Sequence, residues 1–203
     1  DSVGQIAEEQ RRTVGELGTL RRWRVYHAFR RALATAPAHV AFRVIHLSIQ
    51  RTHVHLIAEA ADHEALARGM QGLLISAARR INRAFARQHG RPRRGTVFPD
   101  RYHERVLSSP RQCRNAICYV LNNFRRHGED RVGPARTWKL DPLSSGIRFA
   151  GWRELAHAAH RFAPPPEYEA LPTSLPQTWL LAVGWQRHGL IGTREVPGPA
   201  DRV

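Results

Sequence analysis

Two strand-like runs joined by four residues, each flanked by a long helical pattern, constrain this chain most. Residues 40–49 are rich in β-branched and aromatic side chains, with Arg43 the single charge among them. The tetrad Gln50-Arg51-Thr52-His53 can hold a tight connection, and residues 53–59 form a second run. Strands joined this closely pair as an antiparallel hairpin. Before the hairpin, Leu17, Leu20, Trp23, Tyr26, Phe29 and Leu33 recur at threes and fours until Pro37, which predicts a helix from about Glu16. After it, Asp62 is a good N-cap for a helix through roughly Gln88, with Leu66, Met70, Leu73, Leu74, Ala77, Ile81 and Phe85 as its apolar stripe. A basic loop at 89–95 leads to a strand over 97–107, interrupted near Pro99. Ser109 followed by Pro110 then opens a helix that reaches about His127 and stops at Gly128.

This order predicts an α+β fold, a ferredoxin-like (split βαβ) antiparallel sheet with helices on one face. Such a fold opens with a strand before its first helix. Residues 1–16 do not read as one, so the first strand is expected to be missing and a sheet edge exposed. Residues 1–130 form the expected domain. Residues 131–203 read as an irregular Trp/Pro-rich C-terminal extension packed on it, anchored by Trp138, Trp152, Trp179 and Trp185, with one helix near 177–188.

Charge narrows the function. The net charge of +15 and pI near 11.5 point to a polyanionic partner, most commonly nucleic acid. Composition cannot choose DNA or RNA, and with Lys139 the lone lysine, a coding bias toward arginine is the competing explanation. No run approaches the roughly eighteen apolar residues of a membrane span. The polar start carries no apolar signal core. Cys113 and Cys118, five apart on one helix, face different ways, which argues against a mutual disulfide and for a reducing cytoplasm.

The sharpest local signal is His53-Val54-His55. On a strand, alternate side chains share a face, so the two imidazoles project together while Val54 and Leu56 enter the core. Neutral imidazoles side by side suit a divalent metal, although the same pattern also describes two solvent-facing histidines. On the helix after Pro110, Tyr119 and Asn123 stack four apart, at the edge of a stripe formed by Ile117, Val120, Leu121 and Phe124. A tyrosine hydroxyl can attack phosphorus and form a phosphotyrosine link; a lone tyrosine is more often just a packed ring. Tyr102, as a second tyrosine near the site, and His46 and His103, as residues lining it, are weaker candidates. Glu59 shares the histidine face and is placed behind the pair as a supporting group.

Together, His53-Val54-His55, Phe98, Arg101-Tyr102-His103 and the helix carrying Tyr119 to Asn123 resemble the IS200-like single-tyrosine transposases. Their histidine–hydrophobe–histidine signature is called HUH. The resemblance is closest to the REP-associated tyrosine transposases (RAYT) and covers about residues 20–126. The tail around 140–146 and 184–190 is similar to that of one bacterial subgroup of transposases. The resemblance implies an enzyme that cuts and rejoins single-stranded DNA near hairpins. Tyr119 would be the nucleophile of a 5′-phosphotyrosine intermediate. His53, His55 and Asn123 would be ligands of Mg2+ or Mn2+. It also implies a bacterial, cytoplasmic protein at the nucleoid, and since some relatives are dimers and others monomers, a homodimer stays open.

For the DNA itself, Arg79, Arg80, Arg83 and Arg87 on the long helix, Arg91, Arg93 and Arg94 in the loop, and Arg125 and Arg126 are the expected contacts. Arginines 21–31 could instead grip duplex phosphate. Three other readings compete. One is a catalytically inactive, domesticated DNA-hairpin-binding protein. Another is a metal-dependent hydrolase using water in place of Tyr119. The last is an RNA-binding ferredoxin-like module, which would carry aromatic rather than histidine side chains on its sheet.

Overall fold

A computed structural model describes residues 3–9, 15–35, 41–98, 102–131, 133–157 and 164–196. Strands β1 (Val3–Glu9), β2 (Phe42–Ile49), β3 (Val54–Ala60) and β4 (Tyr102–Leu107) form one antiparallel sheet in the order β2-β3-β1-β4. Helices α1 (Trp23–Thr35) and α2 (His63–His89) each connect two strands, α3 (Pro110–Arg126) follows β4, and a short α4 (Trp179–Ala182) lies in the tail. This is the α+β, split βαβ arrangement. Caps fix the helices as the sequence suggests: Asp62 accepts from the Ala65 amide at 2.7 Å, and Ser109 caps α3 with Pro110 in its first turn.

The expectation of a missing first strand is overturned. Residues 3–9 form β1 at the centre of the sheet, with Gly4 opposite both Glu59 and Leu107. The segment Val-Gly-Gln-Ile-Ala-Glu-Glu has little strand propensity. A central strand has neighbours on both edges to complete its backbone hydrogen bonds, so tertiary pairing overrides the local preference. The histidine strand β3 is therefore flanked on both sides. The helical pattern from Glu16 also resolves differently. Gly15–Leu17 is a 3-10 turn, the Leu20 amide donates to the Arg51 carbonyl at 2.7 Å, and α1 starts only at Trp23. Pro37 and Pro99 lie outside the described residues.

The two connecting helices share one face of the sheet, as the split βαβ reading expects, while α3 takes the other. Leu47, Leu56 and Ala58 pack with Phe29, Leu66, Met70, Ile81 and Phe85 of α1 and α2. Gly69 lets α2 and β2 approach closely, because a Cβ there would overlap the Phe42 ring. On the opposite face Ile45 and Ile57 pack with Ile117, Val120 and Leu121 of α3 and with Leu140, Trp152 and Trp185 of the tail.

The tail seals the β2 edge. The Ile49 amide donates to the Leu143 carbonyl at 3.0 Å, the Leu47 amide to Ser145 Oγ at 3.2 Å, and the Ser174 amide to the Val44 carbonyl at 2.8 Å. An edge strand with satisfied backbone groups offers no template for foreign strands. Arg21, nearly buried, adds a two-pronged clamp on buried Asp141 at 2.9 and 3.0 Å. The helix expected near 177–188 is two pieces, α4 and a 3-10 turn at Gly184–His188.

Candidate active site

The strand register gathers one end of the molecule. β1 ends there, the β2–β3 turn lies there, β4 begins there, and α3, antiparallel in sense to β4, ends there. His53 sits just before β3 and His55 within it. Strand alternation sends Val54, Leu56 and Ala58 into the α1/α2 core and leaves His55, Ile57 and Glu59 for the α3 side.

At this end the side chains converge. His53 Nε2 and His55 Nε2 point at each other, 2.8 Å apart, and Thr52 Oγ1 lies 3.1 Å from His53 Nδ1. The His55 ring, fully buried, meets the Tyr119 ring edge-on at 4.9 Å between centroids. Tyr119 is itself buried, with the Arg126 guanidinium 5.8 Å from its ring centre. Four residues on, Asn123 is fully buried, and neither its amide nitrogen nor its oxygen has a hydrogen-bond partner. Burial, and then the neighbouring His53, His127 and Arg126, hold the His55 imidazole well below its ordinary pKa. His55 is thus neutral, the form that donates a lone pair to a cation.

These residues fit a divalent metal. Two imidazole nitrogens lie 2.8 Å apart, and a buried carboxamide without partners is the kind of group a ligand satisfies. Among the described residues no group of three or more His, Cys, Asp or Glu side chains is arranged to hold a metal ion.

One residue escaped the sequence reading. His127, the C-cap of α3, has its ring 5.8 Å from that of His53. The signal was present, since Tyr119, Asn123 and His127 continue one line at spacing four.

Other candidates lie elsewhere. Glu59 does not stand behind the histidines. Its carboxylate accepts from the Gln177 and Thr178 amides, the Thr178 hydroxyl and Arg43, at 2.7 to 3.1 Å, so it clamps the tail. His46 is 3.3 Å from Ser145 Oγ and edge-on to Phe149 beneath the tail, where burial pushes its pKa down to about 4. Tyr102 packs against the α1/α2 core, on the face away from His55. His103, exposed on β4, lies across β1 from His55, both being opposite Glu8.

The arginines differ in exposure and in what they hold. Arg79, Arg83 and Arg87 form an exposed line at spacing four on α2. Arg80 reaches Thr35 and Ser76. Arg91 pairs with Glu16, Arg93 with Asn82 and the Gly95 carbonyl, and Arg94 is exposed beside them. Arg126 is exposed over Tyr119. Arg125 is spent inside the chain, on the Thr193 and Lys139 carbonyls and on Asp130. Within 21–31, Arg21 is used by Asp141, Arg24 by Gln88 and Arg30 by Glu169.

The model of the IS200-like transposase family matches residues 18–123. No curated protein matches the chain. Among solved structures, the chain is similar to one of a REP-associated tyrosine transposase bound to a REP hairpin. The two are 16% identical, the match covers 87% of this chain and 93% of that one, and the TM-score is 0.46.

Proposed function

Because this chain belongs to the IS200-like transposase family, we propose that it cleaves and rejoins single-stranded DNA near hairpins, with Tyr119 as nucleophile. The observation that carries this reading is the meeting of His53 Nε2, His55 Nε2 and the Tyr119 ring, one helical turn from a buried Asn123 amide that lacks any partner. His53, His55 and Asn123 would hold Mg2+ or Mn2+. Bound there, the metal would supply Lewis-acid polarisation of the scissile phosphate.

The chain's own residues do the rest. The Tyr119 oxygen forms a bond to phosphorus and gives up its proton. The bond from phosphorus to the 3′-oxygen breaks, and that oxygen leaves as a hydroxyl after taking up a proton. The protein keeps the 5′-phosphate as an ester of Tyr119, and a 3′-hydroxyl from another strand can reverse the exchange without an energy source. Arg126, 5.8 Å from the centre of the tyrosine ring, would hold a phosphate near the attacking oxygen. Tyrosine and histidines come from one chain, so the proposed site does not need a second subunit to complete it. The exposed arginines 79, 83, 87, 91 and 94, with Arg80 and Arg93 beside them, would track DNA phosphates.

The test is incubation with labelled single-stranded DNA carrying the hairpins that flank its own gene, plus Mn2+. A denaturant-resistant protein–DNA band that disappears in Tyr119→Phe and in His53→Ala is expected. Binding with no such band would instead favour a domesticated hairpin binder.

A further inference from the structure

The tryptophans of the tail are not equivalent. Trp152 and Trp185 are buried anchors, whereas Trp179 is 49% exposed. Its indole lies on bare backbone, because a Cβ at Gly184 would sit 2.7 Å from Trp179 Cζ3. The guanidinium of Arg187 stacks over the ring at 4.7 Å from its centre. Val183, one turn along, is 51% exposed beside it, and Leu175 is 85% exposed. Thr178, the residue before Trp179, is fixed to Glu59 of β3 by two hydrogen bonds at 2.7 and 2.8 Å. The ring is thus held in a set position on the histidine side of the sheet. His55 and Glu59 are four residues apart on one strand, which is about 13 Å.

Exposed apolar side chains grouped together, as Trp179 and Val183 are one helical turn apart, mark a contact surface where single ones do not. The charge beside it selects the partner. Arg187 and His188 are exposed at this patch with the uncharged Gln177 and Gln186 as exposed neighbours in sequence, on a chain of net charge +15. An indole and a guanidinium plane together form the kind of platform on which unpaired bases stack, whatever their sequence. We infer that Trp179 and Arg187 bind an unpaired base of single-stranded DNA, away from the cleavage point. This rests on the DNA-processing reading above.

The probe is a fluorescently labelled oligo-deoxythymidine strand, titrated into the full chain and compared with a duplex of equal length. Trp179→Ala is expected to weaken binding to the single strand roughly tenfold and to leave duplex binding unchanged. Trp179→Phe retains a stacking ring. It keeps most of the affinity while losing the part of the DNA-induced tryptophan quenching that Trp179 supplies, which serves as the readout if the alanine variant folds poorly. Equal affinity of wild type and Trp179→Ala for the single strand, or the same quenching in wild type and Trp179→Phe, overturns the platform alone. So does self-association that Trp179→Ala abolishes with DNA binding intact, which would make the patch a contact between copies. A wild-type chain that binds neither DNA overturns the proposed function as well.

Discussion

The face of the sheet beneath α1 and α2 is packed with aliphatic and aromatic side chains. The side occupied by α3 and the tail buries Ser48, His55, Glu59, Asn122, Asn123 and Ser145 among its apolar residues. Apolar burial needs only shape and volume, whereas each buried polar atom needs a partner. Most find one within the chain: Glu59 takes the Gln177 and Thr178 amides, Asn122 donates to the Gly192 carbonyl at 3.0 Å, and Ser145 serves the Leu47 amide. Asn123 finds none. One side is thus built for stability, and the other carries an unmet requirement on the helix that brings Tyr119 to the histidines.

The widest separation between the two sides comes from pairing Tyr119→Phe with Phe29→Ala. Removing one hydroxyl from Tyr119 should abolish the covalent DNA adduct and leave unfolding within about 1 kcal/mol of wild type. Emptying the Phe29 site should cost about 3–5 kcal/mol in urea unfolding, with the folded fraction still forming adduct. A Tyr119→Phe chain that falls apart, or a folded but inert Phe29→Ala chain, would break the comparison.

Next is Arg21→Ala, which leaves the buried Asp141 carboxylate without its guanidinium. A loss of about 3 kcal/mol is expected. A loss below about 1 kcal/mol would mean that the tail is held by other contacts.

Glu59→Gln should cost about 2 kcal/mol, since four charge-assisted hydrogen bonds weaken together. The same residue gives a pH dependence. Burial raises its carboxyl, but the donors from Thr178, Gln177 and Arg43 outweigh it and hold the pKa below 4.5. The stabilisation is therefore complete above 4.5, the value in the unfolded chain, and is lost as pH falls through the lower folded value. Thermal melts should drop with acid in wild type, and less steeply in Glu59→Gln.

The smallest stability change sharpens the comparison most. Asn123→Ala removes two buried polar atoms that have no partner, so stability should stay within about 1 kcal/mol or rise. The increase in melting temperature on adding Mn2+ should vanish. A large destabilisation in metal-free buffer would show that the amide is structural.

The helices and the hairpin were legible because their signals are local: period four along α2, caps at Asp62 and Ser109, alternation around His53 and His55. The pairing of Tyr119 with the histidine strand was legible through family resemblance rather than spacing, because α3 and β3 meet only in three dimensions. β1 was hidden because a central strand draws its order from its neighbours. The role of Glu59 was hidden because its partners lie more than a hundred residues away in the tail. Arg125 reads in sequence like Arg126, yet one holds the tail and the other lies over Tyr119.

The central place of β1 also bears on how the chain acquires its shape. Residue 4 pairs with residue 107, so the outer β1–β4 ladder cannot close until everything between has been synthesised, whereas the β1–β3 ladder needs only residues 3–60. Loop closure over such a span must be met before the contact returns any energy, and folds dominated by distant pairings are slow. The β2–β3 hairpin and α2 can form early and wait. Until β4 arrives, β1 is the open edge of a three-stranded sheet, which makes nascent chains, rather than finished ones, the form most exposed to aggregation.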